Sequence, residues 1–196
     1  MIILMKQNQS TTMNNLEVLN EATSTKLKEL KYKIYCDMDG VLVNFNKRFN
    51  ELSSLSPKEY SETNGVDKFW EIIDNKGVGF WVGMDWMDDG KMLWEYLKSN
   101  FKDVELLSSP SRAENSRLGK RLWVRNHKLG VKLNLEYSRS KHKYAAPNHV
   151  LIDDRKDIIK DWENKGGIGI LHTSAENTIV KLLNIIANGR KEGANS

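Results

Sequence analysis

Short apolar runs that stop abruptly at polar residues punctuate this chain. Residues 33–37 lead from Ile34-Tyr35-Cys36 into Asp37-Met38-Asp39-Gly40. Asp103-Val104-Glu105-Leu106-Leu107 closes on Ser108-Ser109-Pro110, and an alternating run from Val131 to Tyr137 precedes Arg139, Lys141 and Lys143. His149-Val150-Leu151-Ile152 ends in Asp153-Asp154, and Gly169-Ile170-Leu171-His172 forms a fifth such run. Runs of this length, bounded by Gly, Pro, Asp and Ser, read as strands. Between them, apolar positions fall at helical spacing: Phe45, Phe49 and Leu52; Met92, Leu93, Tyr96 and Leu97; Leu118, Leu122 and Leu129 within 114–129; Ile158, Ile159 and Trp162; Ile179, Leu182, Leu183 and Ile186. Strand and helix in alternation predict an α/β fold, a parallel sheet with helices on both faces.

Two stretches depart from that rhythm. Residues 56–90 are rich in Trp, Gly and Asp and read as irregular, an insert or cap over a site. Residues 1–31 are polar, with Leu16, Val18, Leu19, Leu27 and Leu30 enough for a short helix, and are expected to form a partly disordered extension outside the core. The expected organisation is this extension, one domain over 32–188 with its cap insert at about 44–90, and a polar tail over 189–196.

Composition narrows the class. At 196 residues, 39% hydrophobic and 29% charged, the chain can bury a core of its own. No apolar run is long enough to span a bilayer. Met1-Ile2-Ile3-Leu4-Met5 is too short for a signal-peptide core and has no basic residue before it, so a cytoplasmic protein is expected, without membrane partners. A single cysteine, Cys36, excludes an intrachain disulfide or a cysteine-based metal cluster, and its place inside a strand suits a small buried residue. The net charge of +4 is uneven: residues 111–147 carry ten Lys and Arg against two Glu, leaving the remainder of the chain net negative. That excess favours an anionic ligand, although the simpler reading for most of these side chains is a solvated helix face.

The candidate chemistry sits where strands end. In open α/β sheets ligands bind beyond the carboxyl ends of the strands, and Asp37 with Asp39, Ser108 with Ser109, the Arg139–Lys143 run, and Asp153 with Asp154 all fall there. Gly40 stands fourth in its acid motif behind a strand, unlike the sixth-position glycine of a calcium loop. Carboxylates from Asp37 and from Asp153 or Asp154 would repel one another unless a cation lies between them, and Mg2+ takes such oxygen ligands and neutralises phosphate. A carboxylate can attack phosphorus, a hydroxyl and an ammonium can hold phosphate oxygens, and a second acid can protonate a departing alkoxide. The combination points to phosphoryl transfer. Gly166-Gly167-x-Gly169 precedes a strand and reads as a turn, and His127, His142, His149 and His172 lack metal-ligand spacing.

These motifs resemble the four of the haloacid dehalogenase-like phosphohydrolases, over residues 33 to about 172. The resemblance implies a Rossmann-like sheet with a small cap after the first motif, Asp37 as nucleophile and Asp39 as general acid/base. It implies that Ser108 binds the transferring phosphate, that a lysine neutralises it, and that Asp37, Asp153, Asp154 and the main-chain oxygen of Asp39 hold Mg2+. Asp at 39, where ATPases of the superfamily usually have Thr, is the phosphatase form.

Asp37-Met38-Asp39-Gly40-Val41-Leu42, Ser108-Ser109-Pro110, Trp123-Val124 and Ile152-Asp153-Asp154-Arg155 further resemble the 5'(3')-deoxyribonucleotidase branch, whose compact members occur in bacteriophages. On that likeness the cap aromatics Trp70, Phe80 and Trp81 stack on a nucleobase, and Ser109, Arg139, Lys143 and Arg155 assist binding. Core packing is the simpler role for any single tryptophan. Tyr137-Ser138-Arg139-Ser140-Lys141 resembles that branch's Leu-Thr-Arg-x-Lys and favours Lys141 as the third-motif lysine, while counting back from Asp153 favours Lys143; Lys141 is preferred because loops vary in length more readily than strand-end motifs. The expected function is a Mg2+-dependent phosphatase of a nucleoside monophosphate, with a 3'-phosphatase of nucleic-acid ends or a non-catalytic nucleotide-binding protein as alternatives.

Overall fold

Five parallel strands form one sheet in the order β3-β2-β1-β4-β5 in the computed structural model, which describes residues 32–193. They are β1 (Lys33–Cys36), β2 (Asp103–Ser108), β3 (Leu133–Leu135), β4 (His149–Asp153) and β5 (Ile168–Leu171). The expected extension over 1–31 lies outside the described residues. β1 is central, with Ile34 opposite Val104 on β2 and Val150 on β4. The chain winds outward one way through β2 and β3 and the other way through β4 and β5, so the gap between β1 and β4 is the topological switch point.

Successive residues of a strand face opposite sides of a sheet. Ile34, Cys36, Leu106 and Ile152 join the larger core cluster, whereas Tyr35, Leu107 and Leu151 pack with Ile158, Ile159 and Trp162 on the other face. Both faces are therefore covered, which explains the near-continuous apolar runs. The third strand is shorter than its alternation predicts, three residues rather than seven.

The helices are α1 (Phe45–Asn50), α2 (Pro57–Asn64), α3 (Val66–Lys76), α4 (Val78–Val82), α5 (Gly90–Asn100), α6 (Glu114–Asn126), α7 (Lys156–Glu163) and α8 (Ala175–Gly193), with a 3-10 helix at Ser138–Tyr144. The insert read as irregular is thus mostly helical. Its glycines separate short helices: Gly65 and Gly77, both at positive φ, are each the C-cap of one helix and the N-cap of the next. Ser56 and Glu59 form a capping box ahead of α2, with Pro57 in its first turn.

The register of α6 also differs from the leucine pattern. Leu118 is 46% exposed, and the buried face is Ser116, Gly119, Lys120, Trp123 and Val124. Small residues let this helix lie close to its neighbour: a Cβ on Gly119 would stand 2.3 Å from Trp81 Cβ on α4. Trp123 Nε1 donates to Met84 O at 2.8 Å, a second tie between the insert and α6. Among the described residues, no helix is long and apolar enough to cross a membrane.

Candidate active site

The first acid motif is a strand end folded back on itself. Asp37 N still donates to Ile152 O (2.9 Å), which keeps β1 registered on β4 up to its last side chain. The chain then turns: Leu42 N and Val43 N both donate to Met38 O, at 2.8 and 2.9 Å, and Gly40 N donates to Val43 O at 3.0 Å. Gly40 has φ +75°, and a Cβ there would fall 2.3 Å from Asp154 Oδ2. Glycine is thus required both by the left-handed backbone and by the close approach of the fourth-motif acid. Met38 is fully buried, while Asp37 and Asp39 on either side of it face a common pocket.

β4 delivers the opposing acids. Asp153 is buried, accepting from Arg155 N at Oδ1 (3.0 Å) and from Lys141 Nζ at Oδ2 (2.8 Å). Lys141 Nζ also stands 3.1 Å from Asp37 Oδ1 and is 2% exposed, so one ammonium bridges the first and fourth motifs. Lys143, two residues on along the same 3-10 helix, is exposed. The geometry thus brings Lys141 to the acids and leaves Lys143 outside. Asp37, Asp153 and Asp154 each offer an oxygen within 4.8 Å of the others. Three hard oxygen donors so close together fit a divalent cation.

The charges at this cluster perturb one another. Burial, followed by repulsion from Asp37, raises Asp153 to about 6 despite the opposing pull of Lys141. Asp154 keeps an exposed edge, and partial loss of solvent on its site-facing side, then repulsion from Asp37 and Asp153, raises it to about 7. Burial alone would lower Lys141, but Asp37 and Asp153 outweigh it and hold its ammonium above the usual range. Four carboxylates, counting Asp39, face two ammoniums, Lys141 and Lys120. A divalent cation would neutralise the remaining pair of negative charges.

Lys120 is one of the ten basic residues of 111–147, most of which are expected on a solvated helix face. It is fully buried, and its Nζ donates to Asp39 Oδ2 at 2.5 Å and to Ser108 Oγ at 3.0 Å. Ser108, the last residue of β2, is itself fully buried. Burial raises Asp39 above the usual carboxylate range, with Lys120 opposing and Asp37 reinforcing the shift. The signal that could have found Lys120 is its helical spacing with Ser116, Gly119 and Trp123, which puts it on the buried face of α6.

Above the acids lies a pocket of about 920 Å3. Asp37, Asp39, Lys141 and Asp154 line its floor; Phe45, Phe69, Trp70, Trp81 and Met87 contribute apolar wall; Ser109, Pro110, Ser111, Ser138 and Arg155 complete the rim. The wall aromatics touch one another, with ring centroids 6.3 Å apart for Phe45 and Phe69 and 4.8 Å for Phe69 and Trp70. Of the residues expected to bind substrate, Trp70, Trp81, Ser109 and Arg155 line this pocket. Phe80 does not: it is fully buried and packs edge-on against Phe45 and Trp81, while its carbonyl accepts from Arg48 Nε at 3.1 Å. Arg139 lines a smaller neighbouring groove of about 280 Å3 with Tyr137 and Arg155. Phe45, for which the sequence gives only a helical spacing, also takes a wall position.

No family model matches the sequence. Over 143 residues the chain is 29% identical to a protein of Vibrio phage KVP40 named "Putative 5'(3')-deoxyribonucleotidase", covering 73% of this chain and 78% of that one. The structure is similar to a haloacid dehalogenase-like family hydrolase from Xanthomonas campestris, with TM-score 0.51 and 9% identity, over 81% of this chain and 94% of that one. The five-stranded parallel sheet with helices on both faces is thus a fold shared with that hydrolase, and the phage protein is similar in sequence over most of both chains.

Proposed function

We propose that this protein is a Mg2+-dependent phosphatase that hydrolyses a nucleoside monophosphate, of the 5'(3')-deoxyribonucleotidase kind, in the cytoplasm. The observation that carries the reading is one pocket with a carboxylate–lysine floor and an aromatic wall. The floor suits a phosphate and the wall suits a base, since aromatic side chains stack on nucleobases. The phage relative's name agrees with it.

Asp37 is the nucleophile. One of its carboxylate oxygens bonds to phosphorus while the ester P–O bond breaks, and the electron pair of that bond leaves with the ester oxygen. Asp39 gives that oxygen a proton, then takes one from the water that opens the aspartyl-phosphate, releasing inorganic phosphate and restoring Asp37. Lys141 and the Ser108 hydroxyl hold the phosphate oxygens as charge shifts. Asp37, Asp153, Asp154 and the main-chain oxygen of Asp39 would hold Mg2+, which supplies positive charge against the phosphate.

Phosphate release from a panel of nucleoside mono-, 5'- and 3'-phosphates in the presence of Mg2+ tests the reading. Preferential release from nucleotides over simple alkyl phosphates supports it; release from alkyl phosphates alone would contradict the substrate class. The groove beside the pocket, with Tyr137, Arg139 and Arg155, favours a second reading in which a polynucleotide end extends out of the site. A steep fall in affinity with salt would mark that substrate.

A further inference from the structure

Lys120 has no place in the four strand-end motifs, since it comes from the middle of α6. A buried ammonium carries a large desolvation penalty unless it is paired. Here the pairing is spent inside the reaction centre: Asp39 Oδ2 at 2.5 Å and Ser108 Oγ at 3.0 Å. A third side of the ammonium faces the ring of Trp81, 5.2 Å from its centroid, and the close packing at Gly119 permits that approach. Asp39 Oδ1 has no hydrogen-bond partner among the described residues. Lys120 is therefore what sets the rotation of the Asp39 carboxylate, and through the same atom it holds the second-motif hydroxyl.

We propose that Lys120 is a positioning residue for proton transfer. It holds the Asp39 carboxylate in the orientation from which that group protonates the leaving oxygen, and it links this orientation to Ser108 and to the cap. The inference rests on the phosphomonoester reading of the site but not on the identity of the substrate as a nucleotide. Its consequence is selective. An alkoxide leaving group needs a proton as the P–O bond breaks, whereas 4-nitrophenolate departs with little help. Loss of Lys120 should harm the first kind of substrate more than the second.

The experiment compares Lys120→Met, Lys120→Arg, Asp39→Asn and the Asp39→Asn/Lys120→Met double variant in the full chain with Mg2+. Each is assayed on 4-nitrophenyl phosphate and on the alkyl phosphate, nucleotide or other, that the unmodified protein turns over fastest. Lys120→Met is expected to lower kcat/KM, which reports the step in which the leaving group departs, ~100-fold for the alkyl phosphate and less than ~10-fold for the aryl phosphate, a range typical of disturbed general acid catalysis. Lys120→Arg should show the same bias with a smaller loss, because guanidinium keeps the charge but not the geometry. The double variant should show no more bias than Asp39→Asn alone. Equal losses of kcat/KM on both substrates, or additive bias in the double variant, would overturn the proposal. Should Lys120→Met fail to fold, Lys120→Arg alone decides: biased loss supports the proposal and unbiased loss overturns it. If nucleotides prove poor substrates while the bias appears with another alkyl phosphate, the nucleotide reading fails and this one stands.

Discussion

The floor and the wall of the pocket are built on different physical terms. The floor consists of charged groups fixed at strand ends: Asp37 and Asp153 flank the switch point, each held by the sheet's own hydrogen bonds, and Lys141 bridges them. The wall consists of aromatic side chains on short helices separated by glycines, held by ring packing and by contact with α6. A charged cluster tolerates no substitution, because removing one partner leaves another buried charge uncompensated. An aromatic wall can be rebuilt with other rings while remaining apolar. Chemistry should therefore be fixed by the floor and substrate choice by the wall.

The largest expected effects break the floor. Asp37→Asn should lower kcat by at least ~100-fold on every substrate, as loss of a nucleophile does, with the far-UV circular dichroism spectrum unchanged. Near-normal turnover would remove Asp37 from its role. Lys141→Ala should be comparably damaging and should also destabilise the protein, by roughly 3–5 kcal/mol without added cation, since Asp37 and Asp153 then face each other unpaired. Denaturant titration checks the second part.

Breaking the wall should act on affinity instead. Trp70, only partly buried, is a cleaner probe than Trp81, which is 1% exposed and also supports the core. Trp70→Ala should raise KM for nucleotides ~10-fold, in line with about 1–3 kcal/mol per stacked base, and leave KM for a small aryl phosphate nearly unchanged. Equal shifts for both would deny that the wall recognises a base.

A smaller effect reports the cation. In the folded chain without metal, Asp153 and Asp154 are raised to about 6 and about 7. They hold protons that the unfolded chain gives up near ~4, so these two groups make stability fall as pH rises from about 4 through about 7. A divalent cation between the carboxylates offsets that loss. The gain in Tm on adding Mg2+ should therefore grow between about pH 5 and about pH 8. A gain that does not vary with pH would argue that the acid trio is not the cation's site. The smallest effect is expected at Lys143, where alanine should leave kcat within ~2-fold, as at an exposed position without partners in the cluster.

The same division explains what the sequence made legible. Parallel strands buried on both faces produce dense apolar runs, and their ends are abrupt because a carboxylate or serine there must leave the sheet; β1, β2, β4 and their polar termini were readable for that reason. The insert was not, because its helices are short and its glycines resemble loop punctuation when they are in fact caps, as at Gly65 and Gly77. Leu118 misled for another reason: periodicity of leucines assumes that the apolar residue is buried, whereas the face of α6 that packs against the insert is chosen by smallness at Ser116 and Gly119. Lys120 shares that face, so one of the basic residues of the charged segment 111–147 lies at the centre of the site. Burial of a lysine depends on partners from β1 and β2, which no local pattern reveals.

The claim on which the account rests is that Asp37 carries the phosphoryl group. It is tested most directly by acid quenching during turnover of a phosphate-labelled substrate, followed by peptide mapping. Label on the peptide containing Asp37, absent in Asp37→Asn and lost on treatment with hydroxylamine, is the expected result. Continued turnover with no label at Asp37, or label on another residue, would contradict it.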